Sequence, residues 1–144
     1  MSRRAHKHRI QWLDSKIIVQ QAPYCDIEGG FGAIGADEPS IVNWNVGNIT
    51  ADPVFADSPQ GDYHLQSAAS RWDIVHQIWV TDAQTSRCID AGRPGDSLGY
   101  EPTDPLHVRI EMGVYGGTAE ASRATTGWSL LGDVTNDGIV DLED

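Results

Sequence analysis

The sequence predicts an all-β fold of the solenoid type, built from short strands and tight turns. Helical periodicity is scarce, because Gly, Asp, Asn and Pro interrupt the chain every few residues. Corresponding positions at Tyr24, Asn48, Tyr63, Cys88 and Met112 lie 24, 15, 25 and 24 residues apart. A period near 24 residues is typical of a β-solenoid, in which each coil buries its inward side chains against the next. An all-β sandwich fits the same spacing.

Seven apolar or β-favouring segments are the predicted strands, and turn residues directly follow several of them. In chain order they are Ile17–Val19, Tyr24–Ile27, Ile41–Trp44, Tyr63–Leu65, Ile78–Val80, Cys88–Ala91 and Val108–Tyr115. Residues 71–80 stretch the period and predict a hairpin added to one coil. The small, polar segment that follows residue 118 is typical of a linker. We therefore divide the chain into a basic, disordered tail (1–16), a body of coils (17–118), a linker (119–131) and a terminal loop (132–144).

The charge of the chain is strongly negative and unevenly distributed. The net charge is −11, and residues 1–16 hold five of the ten basic residues but only one acidic residue. The remaining body repels phosphate backbones, so we expect no nucleic-acid partner. No apolar run reaches the length of a membrane span. The basic start is similar to the head of a signal peptide, but Gln11, Asp14 and Lys16 break the apolar stretch that should follow.

The terminal loop has the ligand spacing of a calcium loop. Its loop positions 1, 3, 5, 7, 9 and 12 are Asp133, Thr135, Asp137, Ile139, Asp141 and Asp144, with Gly138 at the sharp turn. Ile139 would contribute its backbone carbonyl, and hard oxygen ligands of this number suit Ca²⁺. The sequence stops where a helix normally follows, so we expect weak binding here and interpret the chain as a fragment of a longer protein.

Several stretches taken together resemble a known family. Asn48–Phe55 with Gly61–Leu65, Cys88–Gly92 and Arg109–Thr118 resemble the last coils of right-handed parallel β-helix (pectate-lyase-like) regions in large secreted bacterial proteins. Tyr24–Gly30 is similar to an earlier coil of that kind, and the terminal loop resembles the first half of a type I dockerin. Departures are Arg87 in place of the usual Pro, Arg93 in place of Asp, and Thr135 in place of Asn or Asp.

The resemblance implies a right-handed parallel β-helix with an irregular C-terminal tail, secreted or at the cell surface. It implies a role linked to polysaccharide binding or degradation, with attachment to a cohesin-like partner through the calcium loop. It supplies no activity by itself. The favoured function is a non-catalytic fragment with an attachment motif. The alternatives are part of a polysaccharide lyase or glycoside hydrolase whose active site lies upstream, and a carbohydrate-binding module that uses Trp72 and Trp79.

The body contains few residues suited to catalysis. Asp26 and Glu28 alternate on one predicted strand and could form the carboxylate pair of a glycosidase, but we favour their role as strand-end residues before a turn. A lyase needs a base, and the only lysines, Lys7 and Lys16, lie in the tail. The histidines at 64, 76 and 107 have no second ligand at metal spacing, and His64 is interpreted as a strand residue.

Two further residue pairs have open interpretations. Trp72 and Trp79 offer flat faces to sugar rings, although we favour a role in capping the end of the solenoid. Cys25 and Cys88 permit one disulfide, but we favour buried free thiols, since sequence alone cannot place their Cα atoms.

Overall fold

The computed structural model describes residues 18–19, 23–34, 41–42, 44, 46–103, 109–126 and 128. They form short strands, turns and two single-turn 3₁₀ helices. The strands are β1 (Ile18–Val19), β2 (Ile41–Val42), β3 (Phe55–Asp57), β4 (Asp62–Leu65), β5 (Arg71–Asp73) and β6 (Ile78–Val80). The 3₁₀ helices are Phe31–Ala33 and Ser58–Gln60. Within the described part of the chain, no helix is long and apolar enough to cross a membrane.

Parallel pairing is confined to the N-terminal part of the described chain. Strands β1 and β2 pair in parallel over two residues, with Ile18 opposite Ile41. A single parallel bridge joins Asp26 to Ile49. Two backbone bonds hold this bridge, because the Ile27 N–H donates to the Ile49 carbonyl (3.0 Å) and the Ile49 N–H donates to the Cys25 carbonyl (2.9 Å).

An antiparallel hairpin of β3 and β4 follows. Phe55 lies opposite Leu65 and Asp57 opposite Asp62, with an irregularity between these two pairs. The 3₁₀ turn Ser58–Gln60 connects the strands, and Gly61 closes it at φ 84°, a conformation that a residue without Cβ adopts at little cost.

A second antiparallel hairpin is formed by β5 and β6, and the predicted hairpin at residues 71–80 is thereby confirmed. Asp73 nucleates its turn, since one carboxylate oxygen accepts the N–H groups of Val75 (2.9 Å) and His76 (3.0 Å). These backbone hydrogen bonds, with the His76 side chain, lower the pKa of Asp73 to about 2. Local sequence thus fixes this hairpin.

The apolar core is small and lies between the hairpins and the later turns. Its buried members are Ile49, Leu65, Cys88, Ile89, Ala91 and Ala124, with Ala51, Phe55, Met112 and Trp128 packed against them. Buried serines supplement it through hydrogen bonds. The Ser122 hydroxyl donates to the Leu65 carbonyl (2.6 Å), and the Ser67 hydroxyl donates to the Arg123 carbonyl. Buried polar groups satisfied in this way fix which segments meet.

The predicted right-handed parallel β-helix is wrong. A solenoid requires parallel strands stacked coil on coil, whereas after Ile49 the described strands pair antiparallel with their neighbours in sequence. Two positions that suggested the 24-residue period, Cys88 and Met112, lie in turns and bends. Their one backbone bond, from the Met112 N–H to the Cys88 carbonyl (2.8 Å), joins turns without forming a ladder.

Some of the predicted strands are observed and others are not. Those at Ile17–Val19, Ile41–Trp44, Tyr63–Leu65 and Ile78–Val80 overlap observed strands, and Tyr24–Ile27 contains the Asp26 bridge. Neither Cys88–Ala91 nor the described part of Val108–Tyr115 is a strand, because positive φ angles at Asp90 (56°) and Gly113 (134°) turn the chain there. The predicted boundaries between tail, body, linker and terminal loop stay predictions. Within the expected linker, residues 121–124 pack against the body through buried side chains and an antiparallel bridge between Arg123 and Ser70.

Candidate functional site

The predicted calcium ligands lie outside the described residues. They are Asp133, Thr135, Asp137, Ile139, Asp141 and Asp144, and the binding of Ca²⁺ by them stays a prediction. The basic tail at residues 1–16 and His107 also lie outside the description. Among the residues that are described, no group of three or more His, Cys, Asp or Glu side chains is arranged to hold a metal ion.

The two tryptophans proposed for sugar stacking face each other across the second hairpin. Trp72 and Trp79 are a cross-strand pair whose ring centroids lie 5.6 Å apart at an interplanar angle of 66°. The guanidinium carbon of Arg123 lies 4.3 Å from the Trp79 ring centroid, a cation–π contact. Intramolecular contacts therefore occupy these rings, and the pair joins the hairpin to residues 121–124.

Asp26 and Glu28 instead lie in an open concavity, which we call the acidic groove. Its volume is about 510 Å³, and its walls include Asp26, Glu28, Thr50, Asp52, Pro53 and Phe55. Glu28 and Asp52 are exposed, whereas Asp26 is half-buried. Three carboxylates and the aromatic ring of Phe55 therefore line this groove.

Two hydrogen bonds hold the carboxylate of Asp26 in the wall of the groove. One oxygen accepts the Ala51 N–H (3.1 Å), and the other accepts the thiol of Cys88 (3.0 Å). Burial, followed by this contact with Asp26, raises the pKa of Cys88 to about 12, so the thiol stays protonated and donates. With both oxygens already engaged, Asp26 fits a structural role better than that of a general acid or nucleophile.

Backbone geometry explains why the groove forms at this place. Gly29 and Gly30 turn the chain directly after Asp26 and Glu28, with φ angles of 74° and 64°. A Cβ at Gly30 would lie 2.9 Å from the Thr50 methyl carbon, so glycine permits the close approach of the two walls. The interpretation of Asp26 and Glu28 as strand-end residues before a turn agrees with this arrangement.

A second concavity, the apolar cavity, adjoins the groove. Its volume is about 360 Å³, and Asp26, Pro53 and Phe55 are walls of both. The other walls include Tyr24, Cys25, Leu65, Cys88 and Met112. Cys25 and Cys88 are both free thiols; Cys88 is buried, as expected from the sequence, whereas Cys25 is half-buried. Pro53, Phe55 and Met112 have no binding role predicted from the sequence, because nothing in their spacing indicates a shared cavity.

Two non-glycine residues with positive φ flank these concavities. Tyr24 has φ 61° and Val54, between the two shared walls Pro53 and Phe55, has φ 53°. A branched side chain is rare in that conformation, which costs about 1–3 kcal/mol. Hydrogen bonds hold Val54 there, because its N–H donates to Asp52 (2.9 Å) and its carbonyl accepts the Gln66 N–H (2.9 Å).

His64 belongs to a buried network on strand β4, as its interpretation as a strand residue predicts. Its Nδ1 lies 2.6 Å from Asp62, and its Nε2 lies 3.3 Å from Glu120 but is not aligned for a hydrogen bond. The imidazole stacks on the Tyr115 ring at 3.6 Å between centroids. Because His64 has no exposed surface, we interpret the network as a structural link between β4 and residues 115–120 and assign it no catalytic role.

Glu111 is a buried acid that lies far in sequence from the groove residues. It is 4% exposed, and one carboxylate oxygen accepts the Ser122 N–H (2.9 Å). Burial raises its pKa to about 8, and the carboxylates of Glu101 and Asp90 add to the rise. Glu101 in turn accepts the Glu111 N–H (3.0 Å) and the Gly117 N–H (2.9 Å). These acids connect loops inside the fold.

Comparison with known protein families gives one match, to a family described as disaggregatase related, over residues 31–92. The match spans less than half of the chain and includes Thr50–Phe55 of the groove, His64, the β5–β6 hairpin and Cys88. Neither a search of curated proteins nor a search of solved structures finds a significant match. Over its central part, the chain is therefore similar to disaggregatase-related proteins.

Proposed function

We propose that the body of this protein is a non-catalytic module that binds a neutral polysaccharide in the acidic groove. The observation that carries the proposal is the grouping of two exposed carboxylates, Glu28 and Asp52, with the half-buried Asp26 and one aromatic ring in an open concavity. Carboxylates accept hydrogen bonds from sugar hydroxyls, and an aromatic face packs against the apolar face of a sugar ring. Similarity to a disaggregatase-related family assigns no activity to this chain.

The charge of the protein narrows the class of polysaccharide. With a net charge of −11 and three carboxylates in the groove, a polyanionic chain would be repelled. An uncharged polymer meets no such penalty and supplies many hydroxyl donors. An aromatic pair extends the surface, since Tyr63 is 47% exposed and packs edge-to-face on Phe55 at 5.4 Å.

The engagement of Asp26 supports binding over hydrolysis. A glycosidase needs two carboxyl groups that are available to the scissile bond, one of them as an acid or nucleophile. Each oxygen of Asp26 already accepts a protein donor, and the Cys88 thiol that contacts it stays protonated. One oxygen of Asp52 accepts the Val54 N–H, so Glu28 is the one groove carboxylate that has no hydrogen-bond donor among the described residues, and we expect no cleavage of the bound polymer.

Affinity gel electrophoresis tests this function. Neutral xylan, glucomannan and mixed-linkage β-glucan in the gel are compared with polygalacturonate and alginate. We expect at least one neutral polymer to retard the protein and neither polyanion to do so. Glu28→Gln should weaken binding about five- to tenfold, since it replaces a charged acceptor by a neutral one. The control Asp96→Asn changes an exposed acid outside the groove and should bind like the parent. Absence of retardation by every neutral polymer would refute the proposal.

The terminal loop is proposed to serve attachment, through weak Ca²⁺ binding and docking to a cohesin-like partner at the cell surface or outside the cell. The support is the ligand spacing from Asp133 to Asp144. Titration calorimetry should give a Kd for Ca²⁺ in the millimolar range, roughly that of extracellular modules. Micromolar affinity with one site would contradict the expectation that the loop needs a following helix, and Asp133→Ala should abolish any binding measured.

A further inference from the structure

We infer that the polysaccharide bound in the acidic groove carries a small apolar substituent of the acyl type, which enters the apolar cavity. The inference rests on the proposed function and specifies the ligand of that same site. The two concavities share three walls, Asp26, Pro53 and Phe55. A sugar ring lying against the carboxylates of the groove therefore has the apolar cavity directly beyond its edge.

Several of the polar groups around the apolar cavity are already paired within the protein. The Cys88 thiol donates to Asp26, and the backbone N–H of Cys25 donates to Asn48 (2.9 Å). The Phe55 carbonyl accepts the Gln66 side-chain amide (3.2 Å). A hydroxyl group entering the cavity would lose water and find few partners, which costs free energy. The alkyl part of an acyl group has no such requirement and gains from burial.

The remaining walls suit an apolar group in shape and chemistry. Leu65 and Cys88 are almost fully buried, and the Met112 thioether packs against the same core. Met is an adaptable neighbour for small apolar groups, and Tyr24 adds an aromatic face. The volume of about 360 Å³ exceeds that of one acetyl group, so somewhat longer acyl groups also fit.

Two residues at the apolar cavity have an unfavourable backbone conformation. Val54 and Tyr24 both have positive φ. The Tyr24 ring packs so closely on Gly47 that a Cβ at residue 47 would overlap the ring. Strained positions persist where the surrounding contacts over-determine them, and they cluster at binding sites. A cavity formed in advance loses little conformational entropy when the ligand binds.

Matched polymers provide the test. Acetylated xylan and acetylated glucomannan are each compared with the same preparation after mild alkaline deacetylation, using the full chain. We expect the acetylated form to bind about five- to tenfold more tightly, since burial of one small apolar group in a pocket is worth roughly tenfold. Equal affinity for both forms of a polymer that binds would overturn this inference and leave the proposed function intact. If none of the four preparations binds, this inference fails, and the proposed function fails with it only if mixed-linkage β-glucan is not bound either.

Two variants localise the effect. Cys25→Met lengthens a side chain that lines the apolar cavity but is not a wall of the groove, and it should abolish the preference while retaining affinity for the deacetylated polymer. Cys25→Ala keeps the cavity open and should retain the preference. An unchanged preference in a folded Cys25→Met protein would contradict the assignment to this cavity.

A spectroscopic readout follows the apolar cavity in the parent protein. The chain has two methionines, Met1 and Met112, so protein labelled with ¹³C at the methionine methyl group gives two signals. Met112→Leu assigns them. The Met112 signal should shift with the acetylated polymer and stay in place with its deacetylated form. A shift of equal size with both forms would count against the inference.

Discussion

The buried carboxyl group of Glu111 should make the stability of this protein fall as the pH rises from about 4.5 to about 8. Its pKa is raised from 4.5 to about 8, mainly by burial, so the folded protein holds a proton that the unfolded chain releases. The contribution to stability is fully present below pH 4.5 and is lost as the pH rises through 8. A protonated carboxyl also suits the environment, since its Oε1 is buried with no hydrogen-bond partner in the described structure.

The size of the effect follows from the shift. At roughly 1.36 kcal/mol per pKa unit, a rise from 4.5 to about 8 corresponds to a loss of about 5 kcal/mol once Glu111 is fully ionised. This figure is comparable to the total stability of a small domain, about 5–15 kcal/mol. The Ser122 N–H stabilises the charged form of Glu111 and so lowers its pKa, and the value of about 8 already includes this effect.

Urea denaturation of Glu111→Gln and of the parent protein at intervals between pH 5 and pH 9 measures this contribution. Gln keeps the acceptor for the Ser122 N–H and has no charge to bury. We expect the free energy of unfolding of the parent to fall relative to that of the variant by several kcal/mol across this range. Glu28→Gln, at an exposed position, controls for the removal of a carboxylate and should parallel the parent. Parallel curves for the parent and Glu111→Gln would refute the reasoning.

Two further predictions concern local packing and the buried thiol. Gly47→Ala should destabilise the protein by about 3 kcal/mol or more, because a Cβ there overlaps the Tyr24 ring. The control Gly61→Ala has the same φ of 84° but lies in open space, so it should destabilise the protein by about 1 kcal/mol. Equal losses of stability in thermal denaturation would show that the overlap at Gly47 is relieved. Cys88, with its pKa raised to about 12, should react with N-ethylmaleimide at pH 8 roughly a hundredfold more slowly in the native protein than in urea. Mass spectrometry of labelled peptides measures this, and similar rates in both states would contradict the buried, hydrogen-bonded thiol.

The sequence alone predicted the local features of this fold. The β5–β6 hairpin could be predicted because Asp73 and the residues after it specify the turn among themselves. Turn residues likewise ended the strand before Gly29, which identified Asp26 and Glu28 as strand-end positions. Composition determined the negative charge, and spacing determined the predicted calcium loop beyond the described residues.

Only the tertiary structure decided which segments pair and what they enclose. The sequence predicted stacked coils from a regular spacing, but spacing does not specify a partner strand, and the chain forms antiparallel hairpins instead. The contact between Asp26 and Cys88 joins residues 62 apart, and that between Ser122 and Leu65 joins residues 57 apart. The acidic groove, the apolar cavity and the raised pKa of Glu111 all arise from such distant contacts. Burial and pairing depend on which surfaces meet in three dimensions, and local residue preferences do not determine that.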